Sequence, residues 1–342
     1  MNKIISRRIL DLCSSIGLNK YTARINKRNY QVTVAGGASE IGQTLSLLLR
    51  SEPGITKLVV HDTRLDTPGV VMDLSHIPTD NRIQGYTGED SLETALKDAN
   101  IVIGAGGVIR KPGISEKLWL SSNTEFVRTL SKQVAKMESM PFLGIITEPI
   151  NYLVPMAAEV LRNHGDYDSR KLFGITGLDA LHAQALFAAQ NNLNPEACYV
   201  PVIGGHSDKT LIPLLSQSTP ASDFDTKMSQ DFTIKFRRFD EELLKANRGC
   251  SPTTSVAYSA LLFTRCILNA LDGQPAKVHA FIENNDFGTA YFGGLVHLDS
   301  EGVKDMQIYS SLTQYELQLL ELCLDELRRD ALKGKKVLEI ID

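Results

Sequence analysis

The segment VAGGASEIGQTLSLLLR, Val34 to Arg50, constrains the fold more than any other stretch. A β-branched run enters a cluster of glycines and leaves as an amphipathic helix. Glycines at fixed places let a strand turn sharply into a helix whose free N–H groups face an anion. Gly36, Ser39 and Gly42 occupy the three places of a G-x-x-G-x-x-G pattern. About twenty residues later Asp62 ends a second strand-like run, where an acid accepts hydrogen bonds from an adenosine ribose. Turn and acid together are the pattern of a dinucleotide site. A carboxylate at Asp62 would repel a 2′-phosphate, so NAD is expected over NADP.

The turn departs from its pattern in two ways. Ser39 brings a Cβ and a hydroxyl to the place where glycine lets the backbone approach a pyrophosphate. Glu40 follows it and adds negative charge at a helix N-terminus, with a carboxylate that can turn back to the free amides there. Weakened cofactor binding is the expectation.

Strand-like runs at Gln31–Ala35, Lys57–Asp62, Ile101–Gly104 and Phe142–Ile146 alternate with helical patterns such as Ile41–Arg50 and Asn123–Met137. Such alternation implies an α/β fold with a parallel sheet covered on both faces. After about residue 175 the rhythm changes. Helical stretches at Leu178–Gln190, Phe232–Asn247, Val256–Leu271 and Ser311–Leu332 enclose short strands near Val200–Ile203 and Val278–Ile282. No Pro/Gly linker separates the halves, so a cleft is expected at a tight junction. A chain of 342 residues accommodates two such domains, 29–174 and 175–342.

Residues 1–28 differ in composition. They hold Lys3, Arg7, Arg8, Lys20, Arg24, Lys27 and Arg28 against one acid, Asp11, the pattern of a mitochondrial targeting segment and hence of the matrix. The alternative is a basic, solvated helix. The net charge of −4 argues against nucleic acid as a partner. No apolar run approaches the roughly 20 residues that span a bilayer. The five scattered cysteines form no CxxC pair and no metal-ligand spacing, so free thiols and no metal are expected.

Five segments carry a resemblance: RNYQVTVAGGASEIGQTLSLLLR, DTPGVVMDLSHIPT, GVIRKPG, YDSRKLFGITGLDALHA and VPVIGGHSDKTLIPLLSQ closely resemble NAD-dependent malate dehydrogenase of the mitochondrial type. The likeness runs from about residue 29 to the C-terminus without large gaps. It implies a Rossmann-type doubly wound sheet followed by an α/β catalytic domain, a homodimer, and reversible hydride transfer between malate and oxaloacetate. Gly36, Ser39, Glu40, Ile41, Gly42, Asp62 and Asn123 form the expected cofactor-binding set.

Hydride transfer from a secondary alcohol needs a base for the hydroxyl proton, and histidine titrates in the right range. His206 follows an apolar strand in a glycine-flanked turn, and Asp179 heads a helix from which it could orient the imidazole. The resemblance implies that the two form the catalytic pair. The bland alternatives are a satisfied buried histidine and a helix cap.

The expected substrate is a dianion, and two carboxylates call for guanidinium groups. The resemblance implies three arginines and an asparagine, of which only Arg110 is present. Glu116, His182 and Glu148 stand at the other three places. Two like charges about 4 Å apart repel by about 4 kcal/mol at an intermediate dielectric, which opposes a small dicarboxylic acid. Burial beside other acids would raise the Glu148 pKa and turn it into a donor. Trp119, beyond the loop, is expected to pack. Two outcomes follow: a dehydrogenase with weak or altered activity toward a 2-hydroxy acid, or an inactive protein that keeps the fold as a binding component.

Overall fold

The computed structural model describes residues 29–341. The N-terminal segment expected to target the chain lies outside them.

Strand β1 (Tyr30–Ala35) is buried along its whole length and runs into the glycine turn. Helix α1 (Glu40–Leu49) follows, then β2 (Ile55–Asp62), α2 (Thr67–Ser75), β3 (Arg82–Thr87), α3 (Leu92–Leu96) and β4 (Ile101–Gly104). Next come α4 (Glu116–Val134), β5 (Phe142–Ile145), α5 (Ile150–His164), β6 (Leu172–Ile175) and α6 (Gly177–Asn191). The chain continues through β7 (Val202–Gly204), β8 (Leu211–Pro213), α7 (Thr226–Arg237), α8 (Phe239–Ala246) and α9 (Thr254–Leu271). It ends with β9 (Ala276–Glu283), β10 (Tyr291–Asp299), β11 (Gly302–Met306) and α10 (Gln314–Ile341).

The order β3-β2-β1-β4-β5-β6 is parallel throughout, the arrangement of a doubly wound dinucleotide fold. The sheet does not stop there. Strand β6 pairs antiparallel with β9, Gly174 facing Phe281 and Ile175 facing Ala280, and β9 leads to β10, β7 and β8. The two halves therefore share one sheet and one continuous core. Phe173 of β6 meets Phe263 of α9 edge-to-face at 5.4 Å, at the centre of that core. Gly144 of β5 makes room there, since a Cβ on it would lie 2.8 Å from the Ile175 side chain and 2.9 Å from Phe263.

Several elements differ from the sequence reading. Helix α4 begins at Glu116, capped by Ser115, whose hydroxyl accepts from Leu118 N, so it starts well before Asn123 and carries Trp119 on its first turns. The expected helix Phe232–Asn247 is two, α7 and α8, joined at Arg238. Strands β3, β6, β8, β10 and β11 are additional to those expected: β3 lies at the sheet edge with little burial, and Gly293 and Gly294 interrupt the apolar pattern of β10. Helix α9 has the length and composition to cross a membrane, yet its Ala257, Ala260, Phe263 and Ile267 are buried in the sheet's core.

Because Phe263 is 1% exposed and touches both halves, Phe263→Ala should lower the unfolding free energy by about 3–5 kcal/mol, measured by urea titration. A loss below about 1 kcal/mol would show that the junction is not a shared core.

Candidate active site

The cofactor turn is built on real steric demands. Gly36 has φ +80°, and a Cβ there would lie 2.1 Å from the Gly106 backbone. A Cβ on Gly42 would lie 2.2 Å from the carbonyl oxygen of Gly36. Only glycine fits either place. Ser39 fits because its side chain turns inward: Oγ donates to the Ala105 carbonyl at 2.7 Å and accepts from Gly42 N at 2.9 Å. The serine is thus the N-cap of α1 as well as the occupant of a glycine place.

Glu40 leaves its charge at this turn. The Lys111 ammonium donates to its carboxylate across the cleft and, with smaller help from Glu40's own amide, holds the carboxyl below its usual range. Asp62 accepts from Ala38 N at 2.9 Å and from Arg64 N at 3.2 Å, so the expected ribose acid is fixed by backbone next to the turn. Asn123 accepts from Val108 N at 2.6 Å and donates to the Glu148 carbonyl at 2.7 Å, tying the loop after β4 to the one after β5. A cleft open to solvent lies between these loops, lined by Ser39, Ile41, Asn123, Glu148 and Trp119 among others.

At the far end of this cleft the structure brings together residues distant in sequence. Asp179 does not cap α6; its Oδ2 lies 2.7 Å from His206 Nδ1. Glu148 Oε1 stands 3.7 Å from the other ring nitrogen, Nε2. Burial opposes a charged imidazole, but Asp179 and then Glu148 outweigh it and raise the His206 pKa well above 6.5. Glu148 responds in kind. Burial works against its charge, yet His206 and Arg110 hold its pKa below the usual range, so Glu148 is a carboxylate and not the proton donor expected from sequence.

The positions that the resemblance assigns to the substrate each have partners within the protein. The Arg110 guanidinium lies over the Trp119 ring, 4.0 Å from its centroid, and 3.7 Å from the Glu116 carboxylate. Trp119 packs as expected, at 5% exposure, and also sets the direction of Arg110. Burial pushes His182 down to about 4, and its ring packs 3.8 Å from that of Phe239, so it is neutral where a cation was wanted. Asn151, unmarked in the sequence reading, accepts from His206 N at 2.8 Å. Its position three residues after Glu148 was the available signal. The described cysteines, Cys198, Cys250, Cys266 and Cys323, are free.

A glycine-built phosphate turn, an acid at the end of β2 and a histidine–aspartate pair across one cleft define the class of a dinucleotide-dependent dehydrogenase fold. Residues 30–174 match the lactate/malate dehydrogenase NAD binding domain, and residues 176–338 match the α/β C-terminal domain of the same enzymes. The chain belongs to the lactate/malate dehydrogenase family, and its N-terminal half is an NAD-binding domain. It is 38% identical over 306 residues to malate dehydrogenase of Idiomarina loihiensis, covering 89% of this chain and 98% of that protein. It is 34% identical over 312 residues to the mitochondrial malate dehydrogenase of Sus scrofa, covering 91% and 92%. A crystal structure of Cryptosporidium parvum malate dehydrogenase superposes with a TM-score of 0.77 at 20% identity, over 90% of this chain and all of that one (100%). That of Eimeria maxima lactate dehydrogenase with NADH and oxamate gives 0.76 at 19%, over 91% and 95%.

The His206 shift has a definite sign in stability. A folded pKa above the unfolded 6.5 gives a contribution fully present below pH 6.5 and lost as pH rises through the folded value. In that window one proton contributes a slope of about −1.4 kcal/mol per pH unit. Unfolding free energies measured against pH should show this slope in the wild type and lose it in His206→Gln. Identical profiles would show that the imidazole is not held charged.

Proposed function

We propose that this protein is an NAD-linked dehydrogenase of the malate type in which turnover of the dicarboxylate itself is weak or lost. The observation that carries the reading is the Glu148 carboxylate 3.7 Å from His206 Nε2, beside the position a substrate oxygen must take to exchange a proton with the imidazole.

The residues present fit the dinucleotide. The turn at Gly36, Ser39 and Gly42 leaves the close approach a pyrophosphate needs, with Ile41 and Asn123 beside it and Asp62 placed for a ribose. Glu40 opposes phosphate, so binding is weakened. NAD bound here supplies or accepts the hydride. The protein's own part is the proton. Asp179 fixes the ring tautomer and stabilises its cation, so His206 carries a proton that it can give to a carbonyl oxygen. The raised pKa keeps His206 in the protonated form that carbonyl reduction requires, while making that proton harder to give up.

Substrate holding is where the site fails. Arg110 already faces Glu116, His182 is neutral, and Glu148 repels a carboxylate at the reacting end. An interaction absent in the transition state lowers turnover as well as affinity. A small 2-hydroxy or 2-oxo acid with less negative charge than malate suits the cleft better. The inactive-homologue reading draws on the same acids and differs in requiring no turnover of any such substrate. The matrix is the proposed location, from the basic first residues and the mitochondrial relatives, and a homodimer is the proposed assembly. Exposed Leu47 and Met72 on the adjacent helices α1 and α2 are in keeping with it.

The test is oxaloacetate reduction with NADH. Glu116→Arg, His182→Arg and Glu148→Asn together should raise kcat/KM by roughly a hundredfold, the scale of restored charge-paired orientation. An unmodified protein already as fast as the Idiomarina loihiensis enzyme would defeat the reading. NADH fluorescence on both proteins separates lost cofactor binding from lost substrate holding.

A further inference from the structure

His206 sits in a turn and not on a strand or helix, so something must fix its backbone if its ring is to keep a 2.7 Å contact with Asp179. That support comes from a buried polar cluster behind the turn. Asn151, 2% exposed on the first turn of α5, accepts from His206 N through Oδ1 at 2.8 Å. Its Nδ2 donates to Thr210 Oγ1 and to Asp330 Oδ2, each at 3.2 Å. Thr210 is fully buried, and its hydroxyl lies 2.8 Å from Ser207 Oγ on the other side of His206. Asp330, 3% exposed on α10, has its second oxygen 3.7 Å from Lys333 Nζ.

The backbone is shaped to admit this cluster. A Cβ on Gly205 would lie 2.8 Å from both Asn151 Oδ1 and Thr210 Oγ1. One on Gly204, at φ +106°, would lie 2.1 Å from the Thr210 carbonyl oxygen. One on Gly334 would lie 2.3 Å from the Tyr152 carbonyl oxygen, so α10 approaches α5 closely just beyond Asp330. An apolar core could fill this space at no polar cost. Burying a carboxylate there is expensive, and burial raises the Asp330 pKa: Oδ2 takes the Asn151 amide, while Oδ1 has no hydrogen-bond partner among the described residues.

We propose that Asn151 and Asp330 are positioning residues. Asp330, reaching in from the C-terminal helix, holds the Asn151 amide, and that amide holds the His206 turn so that the imidazole stays between Asp179 and Glu148. Asn151 also follows Glu148 on the same stretch of chain, so one anchor is common to the His206 turn and the segment that carries Glu148. Neither residue touches the cleft. Their effect on the ring is transmitted by geometry, as when supporting groups fix a reactive side chain to within a fraction of an ångström.

This inference rests on the reading that His206 is the proton-exchanging group, but its test needs neither cofactor nor turnover. The imidazole is titrated by NMR on histidine-labelled full-length protein, with His206 assigned among the seven histidines by its absence in His206→Gln. The charged and titratable groups around the ring are Asp179 on α6, Glu148 before α5, Asp240 on α8 and neutral His182. All four stay in place in the variants. Asp330→Ala and Asn151→Ser should each weaken proton binding by His206 at least tenfold, because the ring is released from Asp179. Asp330→Asn, which can still accept from Asn151, should stay within about twofold of wild type. Melting temperatures are read alongside. If Asp330→Ala does not fold, Asn151→Ser carries the same readout. A lowered melting temperature with an unmoved His206 titration would reduce the cluster to ordinary core structure and overturn the proposal.

Discussion

Asp179 holds one nitrogen of the His206 ring at 2.7 Å, and Glu148 stands 3.7 Å from the other. An imidazole with a carboxylate on each side keeps its proton, and Glu148 keeps its charge because the ring is there. Ring and carboxylate sustain each other in a place where burial penalises either charge alone. The same arrangement fixes the electrostatics of the cleft. An incoming carboxylate gains from the imidazolium but meets Glu148 at the same point, and Arg110, which also acts on Glu148, faces the Glu116 carboxylate as well.

That meeting depends on the sheet. Asp179 follows β6, His206 follows β7, and Glu148 follows β5, so all three lie beyond strand ends of one surface. The antiparallel join of β6 to β9 continues the surface from the dinucleotide half into the other. A cleft between two separately folded units could hinge and change the Glu148–His206 distance. Here the core under it is continuous, with Phe173 and Phe263 packed across the join.

Much of this was legible in the chain. Gly36, Gly42 and Asp62 follow from local geometry, because a strand-turn-helix has few solutions and each requires a specific residue type. The alternation of strands and helices in the first half reads directly, since parallel strands buried on both faces are continuous apolar runs. His206 and Asp179 could be singled out by type and setting, although their contact spans 27 positions and only the fold establishes it. What was not legible depends on three-dimensional neighbours. Glu148 reads as a candidate neutral acid until His206 is placed beside it. Nothing in the sequence says that the Ser39 hydroxyl turns inward to cap α1. Asn151 and Asp330 are 179 positions apart, and no local pattern marks either.

The acids that spoil the expected pattern are not scattered damage. Glu40 pairs with Lys111, and Glu116 faces Arg110. Both cations sit side by side on the loop after β4, so the new acids satisfy within the protein two positive charges that the loop would otherwise present to a ligand. Both pairs are exposed, and exposed pairs contribute only about 0–1 kcal/mol each. They cannot by themselves explain the fold's stability or lock the loop down. Their effect lies in the electrostatics of entry: the loop approaches the cleft nearly neutral. On the proposed reading, a neutral entrance and a Glu148 carboxylate at the reacting end would weaken attraction for dianions at two separate points. Restoring only one of them would leave the other in force.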